Sequence, residues 1–72
     1  MSFKIFYKKL GKRIKYLREE KDLTQEQLAE KVGLSLDFIG KIEVAISKPS
    51  VDTLIKIIKA LNVEPFEIFK FD

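Results

Sequence analysis

Two helix-start signals and one helix-stop signal fall within residues 24–43 and strongly restrict how that segment can fold. Thr24 is a favourable N-cap, and Gln27 three residues later completes a capping box that satisfies two unpaired backbone N–H groups. Gly33 ends this helix, because the residue after a helix favours a left-handed backbone that glycine adopts cheaply. Ser35 then caps a second helix. The segment therefore predicts a helix-turn-helix, an arrangement that can place one rigid helix in the major groove of DNA.

Apolar residues recur on one side of each of these two helices. The first carries Leu28, Ala29 and Val32 at helical spacing, and the second carries Ile39 and Ile42. Successive residues of a helix are rotated by 100°, and we take Ile39 as the centre of the buried side of the second helix. Three side chains then point away from the core and form an outer face, and two more lie on the flank of that face. The outward residues are Asp37, Lys41 and Val44, and the flanking residues are Leu36 and Gly40.

The remaining chain predicts three further helices and no strand, in a single all-α domain over residues 1–72. The first helix runs from about Phe6 to Lys21, and Ser50 caps the fourth, which Asn62 stops. Pro65 fits the first position of a short fifth helix. The residues predicted to point inward from the fourth helix are Val51, Leu54, Ile55, Ile58 and Leu61.

Composition excludes several classes of function. The chain contains no cysteine and no histidine, so it lacks a thiolate nucleophile, the usual general base and the commonest metal ligands. We therefore expect no catalytic site, no metal site and no cofactor. Apolar runs are too short to span a membrane and the start lacks a secretory pattern, so we expect a cytoplasmic protein with no membrane partner.

Positive charge is concentrated at the start of the chain. Residues 1–21 hold eight basic residues against two acidic ones, a net charge of +6, whereas residues 22–43 have a net charge of −3. A basic first helix beside an acidic central pair favours phosphate contacts from the flank of the domain. Any one of these lysines can equally be an ordinary solvated side chain.

The sequence resembles the phage-repressor and Cro-like (XRE-type) helix-turn-helix regulators over nearly its whole length. The matching positions are Leu10-Gly11-Lys12-Arg13-Ile14, Leu17-Arg18-Glu19-Glu20-Lys21, Leu23-Thr24-Gln25, Leu28-Ala29, Ile39, Ile42-Glu43, Pro49-Ser50, Thr53-Leu54 and Ala60-Leu61. The resemblance implies a compact five-helix, lambda-repressor-like domain. It also implies a transcriptional regulator of bacterial or phage origin, located at the nucleoid, that binds double-stranded DNA and acts as a repressor or controller by occupying a promoter.

Base contacts are implied by the resemblance at Leu36, Asp37, Gly40 and Lys41. Lysine can donate to guanine O6 and N7, so Lys41 is the strongest candidate. Leu36 can pack against a thymine methyl group, whereas Asp37 either accepts from cytosine N4 or stays solvated.

Backbone contacts are implied at other positions. Gln25 matches a position that binds a phosphate at the start of the second helix, and Ser35 combines capping with a hydroxyl donor. Further phosphate contacts are expected from Arg13 with Lys12 and from Ser47 and Lys48. Arg18 and Glu43 match positions that form a structural ion pair.

Three features depart from the family pattern or leave alternatives open. The outer face of the third helix carries apolar and acidic residues and few side chains that could hydrogen-bond to bases. Either its specificity depends on DNA shape, or this face binds a protein partner instead of DNA. The loop after this helix lacks the common glycine and arginine, which puts the usual turn in doubt. The aromatic end of the chain either closes the core or forms a homodimer interface; its apolar residues are Phe66, Ile68, Phe69 and Phe71.

Overall fold

Four α-helices and one short 3₁₀ helix make up the chain in the computed structural model, which describes residues 1–71. The α-helices are α1 (Phe3–Glu20), α2 (Gln25–Val32), α3 (Leu36–Glu43) and α4 (Val51–Leu61), and the 3₁₀ helix spans Pro65–Phe69. Within the described range there is no strand, so the predicted all-α, five-helix architecture is confirmed. None of these helices is both long enough and apolar enough to cross a membrane.

The predicted caps are present at each boundary of the central segment. Thr24 Oγ1 accepts a hydrogen bond from the Gln27 backbone N–H at 3.0 Å, and Gln27 Oε1 accepts one from the Thr24 N–H at 2.8 Å. Gly33 has a φ of 71°, and Ser35 Oγ accepts from the Phe38 N–H at 3.0 Å. These local bonds determine where α2 stops and α3 starts.

The first and fourth helices differ from their predicted form. α1 begins at Phe3 rather than near Phe6, because Ser2 Oγ caps it by accepting from the Ile5 N–H at 3.2 Å. The apolar pattern could not reveal this extra turn, since Phe3 is 80% exposed and lies outside the buried stripe.

In α4 the predicted inward direction was wrong at two positions. Val51 and Ile55 are exposed, whereas Ile57, which was not predicted to face inward, is fully buried with Leu61. Apolar residues cover more than half of the circumference of this helix, opposite Asp52, Lys56 and Lys59, so helical periodicity alone fits more than one choice of buried face.

The core lies between all five helices. Its fully buried large side chains are Leu10, Ile14, Leu28, Ile39, Ile42, Ile57, Leu61 and Ile68. α1 crosses the end of α3 very closely, because a Cβ atom added to Gly11 would lie 2.5 Å from the Ile42 carbonyl oxygen and 2.6 Å from that of Glu43. A glycine is therefore required at this crossing.

The aromatic residues near the two ends of the chain meet on one side of the core. Phe6 on α1 stacks on Phe69 with ring centroids 6.2 Å apart, and Phe71 lies 5.5 Å from Phe6 in an edge-to-face arrangement. Ile68 is fully buried beneath them. Part of the aromatic end therefore closes the core, while Phe66 and Phe69 keep 67% and 46% of their surface exposed.

Candidate nucleic-acid interface

The outer face of α3 carries the residues predicted to contact bases. Asp37 and Lys41 are exposed, Leu36 is 46% exposed, and Gly40 lies half-buried between them. The opposite side of the helix is buried through Ile39, Ile42 and Glu43. The structure thus brings the four predicted base-facing residues together on one solvent-facing side of α3, bordered at its end by exposed Val44.

Two of these four residues are paired with each other. Lys41 Nζ lies 2.9 Å from Asp37 Oδ2, one helical turn away, and both side chains are substantially exposed. The pair partly neutralises the positive charge of Lys41. Any acceptor that binds Lys41 must therefore compete with Asp37.

Gln25, the first residue of α2, lies across the surface of α3. Its amide nitrogen donates a hydrogen bond to Glu43 Oε1 at 2.9 Å. A Cβ atom added to Gly40 would lie 3.7 Å from Gln25 Oε1, an ordinary van der Waals distance, so this amide lies directly beside Gly40. Sequence reasoning placed Gln25 near a phosphate but did not detect its bond to Glu43, which lies 18 residues away along the chain.

Arg18 and Glu43 form the buried centre of this arrangement. Arg18 Nε donates to Glu43 Oε2 at 2.7 Å and Arg18 Nη2 donates to Oε1 at 3.1 Å, with each residue less than a tenth exposed. The third donor, Arg18 Nη1, bonds to the Leu23 carbonyl oxygen at 2.7 Å. The hydrogen bond that Arg18 donates to Glu43 raises the pKa of Arg18, so this guanidinium stays charged in its buried position.

The loop after α3 turns back without a glycine. Ala45 has a φ of 65°, the left-handed region that glycine normally occupies, and the backbone N–H groups of Ile46 and Ser47 both donate to the Lys41 carbonyl oxygen. The missing glycine had put the usual turn in doubt. The loop nevertheless makes a hydrogen-bonded turn, in which the left-handed backbone of Ala45 is strained.

The predicted phosphate-binding residues do not all lie together. Ser35 caps α3 and keeps its hydroxyl hydrogen available as a donor, while Ser47 and Lys48 follow α3 in the loop. The Lys48 ammonium also lies 5.3 Å from the centroid of the Tyr7 ring, which links this loop to α1.

Arg13 lies on a different side of α1 from the one that meets α3. Its Nε donates to the Glu67 carbonyl oxygen at 2.7 Å, and its guanidinium stacks over Tyr16 at 5.2 Å. Residues two positions apart on a helix point in directions that differ by about 200°. Arg13 therefore points away from the side where Gly11 contacts α3. The structure therefore uses Arg13 to attach the 3₁₀ helix to α1 and does not bring it to the outer face of α3.

Comparison with known proteins places this arrangement among bacterial and phage regulators. The HTH_3 helix-turn-helix family model matches residues 14–68. The immunity repressor protein of Bacillus phage phi105 is 44% identical over 55 residues, which cover 76% of this chain. The chain spans only 38% of the length of that repressor.

Two solved structures share both the fold and the size of the chain. The restriction-modification controller protein C.AhdI from Aeromonas hydrophila is 36% identical with a TM-score of 0.85, covering 88% of this chain and 96% of that one. The biofilm regulator SinR, whose structure contains DNA, is 32% identical with a TM-score of 0.78, covering 85% of this chain and 98% of that one.

Proposed function

The chain belongs to the HTH_3 helix-turn-helix family, and from this membership and its surface we propose that it is a sequence-specific transcriptional regulator that binds double-stranded DNA. The observation that carries the proposal is the exposed outer face of α3, where Leu36, Asp37, Gly40 and Lys41 lie on a helix held rigidly by α1 and α2. An exposed, rigid helix of this kind fits the major groove.

The proposed mechanism is occupancy of a promoter, as a repressor or controller. Gln25, Ser35, Ser47 and Lys48 supply donors to backbone phosphates, and Lys41 and Leu36 contact base edges. Arg13 is left out of the proposed contacts because Glu67 and Tyr16 hold it elsewhere. This role requires no catalytic group or cofactor, and it is carried out in the cytoplasm at the nucleoid.

A homodimer is proposed through the C-terminal aromatic residues. Phe66 is exposed, and so is part of Phe69 where it stacks on Phe6, so apolar surface remains for a second copy. A two-fold dimer would place two α3 helices about 34 Å apart, one turn of B-DNA, and would require a palindromic site. Light scattering of the chain should give a dimer mass, which Phe66→Ser should reduce to that of a monomer.

Salt dependence of binding tests whether phosphates are contacted. The logarithm of the affinity for a duplex should fall linearly with the logarithm of salt concentration. Lys48→Gln should make the slope shallower by about one, because one phosphate contact is lost. Lys59→Gln, a substitution of an exposed lysine on α4, serves as the control and should leave the slope unchanged.

A second function is favoured by one observation. Leu36, Val44 and Ile46 are 46%, 63% and 72% exposed around a locally neutral Asp37–Lys41 pair, which resembles a surface that binds a protein. Affinity for such a partner would respond little to salt. If duplex binding is absent or salt-independent while a partner is retained in high salt, the chain is a protein-interaction module.

A further inference from the structure

We propose that Glu43 is a positioning residue for DNA contact, in addition to its ion pair with Arg18, because it fixes the orientation of the Gln25 amide. This inference rests on the proposed function, in which Gln25 contacts a phosphate. It concerns two consecutive hydrogen bonds, from Arg18 to Glu43 and from Gln25 to Glu43, which link a buried ion pair to the surface at the start of α2.

The chemistry of the carboxylate determines which way the amide points. An ionised carboxylate only accepts hydrogen bonds, so the nitrogen of Gln25, and not its oxygen, must face Glu43. Because Arg18 donates to both carboxylate oxygens, the carboxylate cannot turn to accommodate a reversed amide. Gln25 is therefore held with Nε2 bonded to Glu43 and with Oε1 close to Gly40.

This orientation leaves one donor for a phosphate. The Nε2 group has two hydrogens, and the one not used by Glu43 is available to an acceptor outside the protein. A reversed amide would present its oxygen towards a phosphate, which repels it. Holding the donor in place before DNA arrives also reduces the side-chain entropy lost on binding.

The ion pair also suppresses an electrostatic penalty. A bare carboxylate at the end of α3 would repel the phosphate backbone, but Arg18 neutralises Glu43 at 2.7 Å and Gln25 covers one of its oxygens. The structure thus uses one buried acid for two purposes. It joins α1 to α3, and it aims the first side chain of α2.

A double-mutant cycle tests the positioning role. Gln25→Leu, Glu43→Gln and the double variant are compared with the parent for duplex affinity, at a temperature where circular dichroism shows each to be folded. Gln25→Leu should weaken binding about tenfold, the effect of one hydrogen bond to a charged group. Gln27→Leu makes the same replacement in the same helical turn but removes the capping bond to the Thr24 N–H instead, so any loss of affinity it causes should simply multiply with that of Glu43→Gln.

The cycle distinguishes positioning from a purely structural role. If Glu43 acts through Gln25, the double variant should bind within about twofold of Gln25→Leu alone. Losses that simply multiply would show that Glu43 acts on the fold only, and would overturn the inference. A parent that binds no duplex would instead overturn the proposed function itself.

A second measurement needs no variant of Glu43. Nuclear magnetic resonance of the parent should show a Gln25 side-chain amide with one proton protected from exchange and shifted by its carboxylate bond, identified by its loss in Gln25→Leu. A Gln25 amide with unshifted, freely exchanging protons would overturn the inference even if Glu43→Gln failed to fold.

Discussion

Lys41 Nζ and Asp37 Oδ2 lie 2.9 Å apart on the outer face of α3. The lysine proposed to contact a base is therefore paired with an acid on the same helix, one turn earlier. Because both side chains are largely exposed, the pair is weak and can be broken by a competing acceptor on DNA.

Removing the acid should strengthen DNA binding. Asp37→Asn frees Lys41 and eliminates one negative charge near the phosphates, which we expect to raise duplex affinity roughly threefold to fivefold at low salt. The advantage should shrink as salt rises, because both effects are screened. Fluorescence anisotropy with a labelled duplex measures the change.

The control for this prediction uses an equivalent position on another helix. Asp52 is the second residue of α4, as Asp37 is of α3, and it is also exposed. Asp52→Asn should lose a similar interaction with the helix dipole without changing duplex affinity. Equal effects of the two substitutions would mean that only net charge matters, and that the Asp37–Lys41 pair has no specific role.

Two glycines inside helices should respond oppositely to alanine. In Gly11→Ala the new Cβ would meet backbone oxygens of α3 at 2.5 and 2.6 Å, so we expect destabilisation by about 3 kcal/mol. In Gly40→Ala the nearest atom is Gln25 Oε1 at 3.7 Å, so the helical preference of alanine should stabilise the domain by about 0.5–1 kcal/mol. Urea unfolding gives both values, and equal effects would contradict the tight crossing of α1 and α3.

The turn after α3 should tolerate glycine better than its native alanine. Ala45 has a φ of 65°, which costs an alanine about 1–2 kcal/mol. Glycine would relieve this strain, and its greater conformational freedom in the unfolded chain would offset only part of the stability gained. Ala45→Gly should therefore raise the free energy of unfolding by about 0.5–1 kcal/mol. Ala60→Gly, inside α4, should lower it by about 1 kcal/mol. A loss of stability in Ala45→Gly would rule out the left-handed turn.

The buried ion pair should matter first for folding. Arg18→Ala leaves the Glu43 carboxylate buried without its main partner, at a cost of about 3–5 kcal/mol. Arg13→Ala removes an arginine whose side chain is 18% exposed and whose main bond is to a carbonyl, so no buried charge is left behind and the cost should be only about 1 kcal/mol. Thermal unfolding distinguishes them. An unchanged melting temperature for Arg18→Ala with weakened DNA binding would assign Arg18 to a direct phosphate contact.

Sequence patterns predicted those parts of the fold that depend on local chemistry. Thr24, Gly33 and Ser35 act on backbone groups within a few residues, so their caps could be derived without knowledge of the tertiary structure. The outward direction of Asp37 and Lys41 followed in the same way, since a short helix with two buried isoleucines allows little choice of buried face.

Features that depend on contacts between distant residues could not be derived from local patterns. The bond from Gln25 to Glu43 joins two helices across 18 residues, and neither side chain indicates the other by its spacing. Ile57 was overlooked because the apolar side of α4 is broad, so only packing against neighbouring helices selects which part of it is buried. Arg13 illustrates the same limit, since its spacing on α1 does not indicate that it bonds a carbonyl of the 3₁₀ helix.

Enrichment of bound sequences from a random duplex pool tests most directly whether α3 reads DNA sequence. The purified chain and its Lys41→Ala variant would be run in parallel. We predict a two-fold symmetric site for the parent and relaxed preference at one position of each half-site for the variant. No enrichment above the salt-sensitive background would contradict sequence reading by α3 and leave the protein-interaction function as the better explanation of this surface.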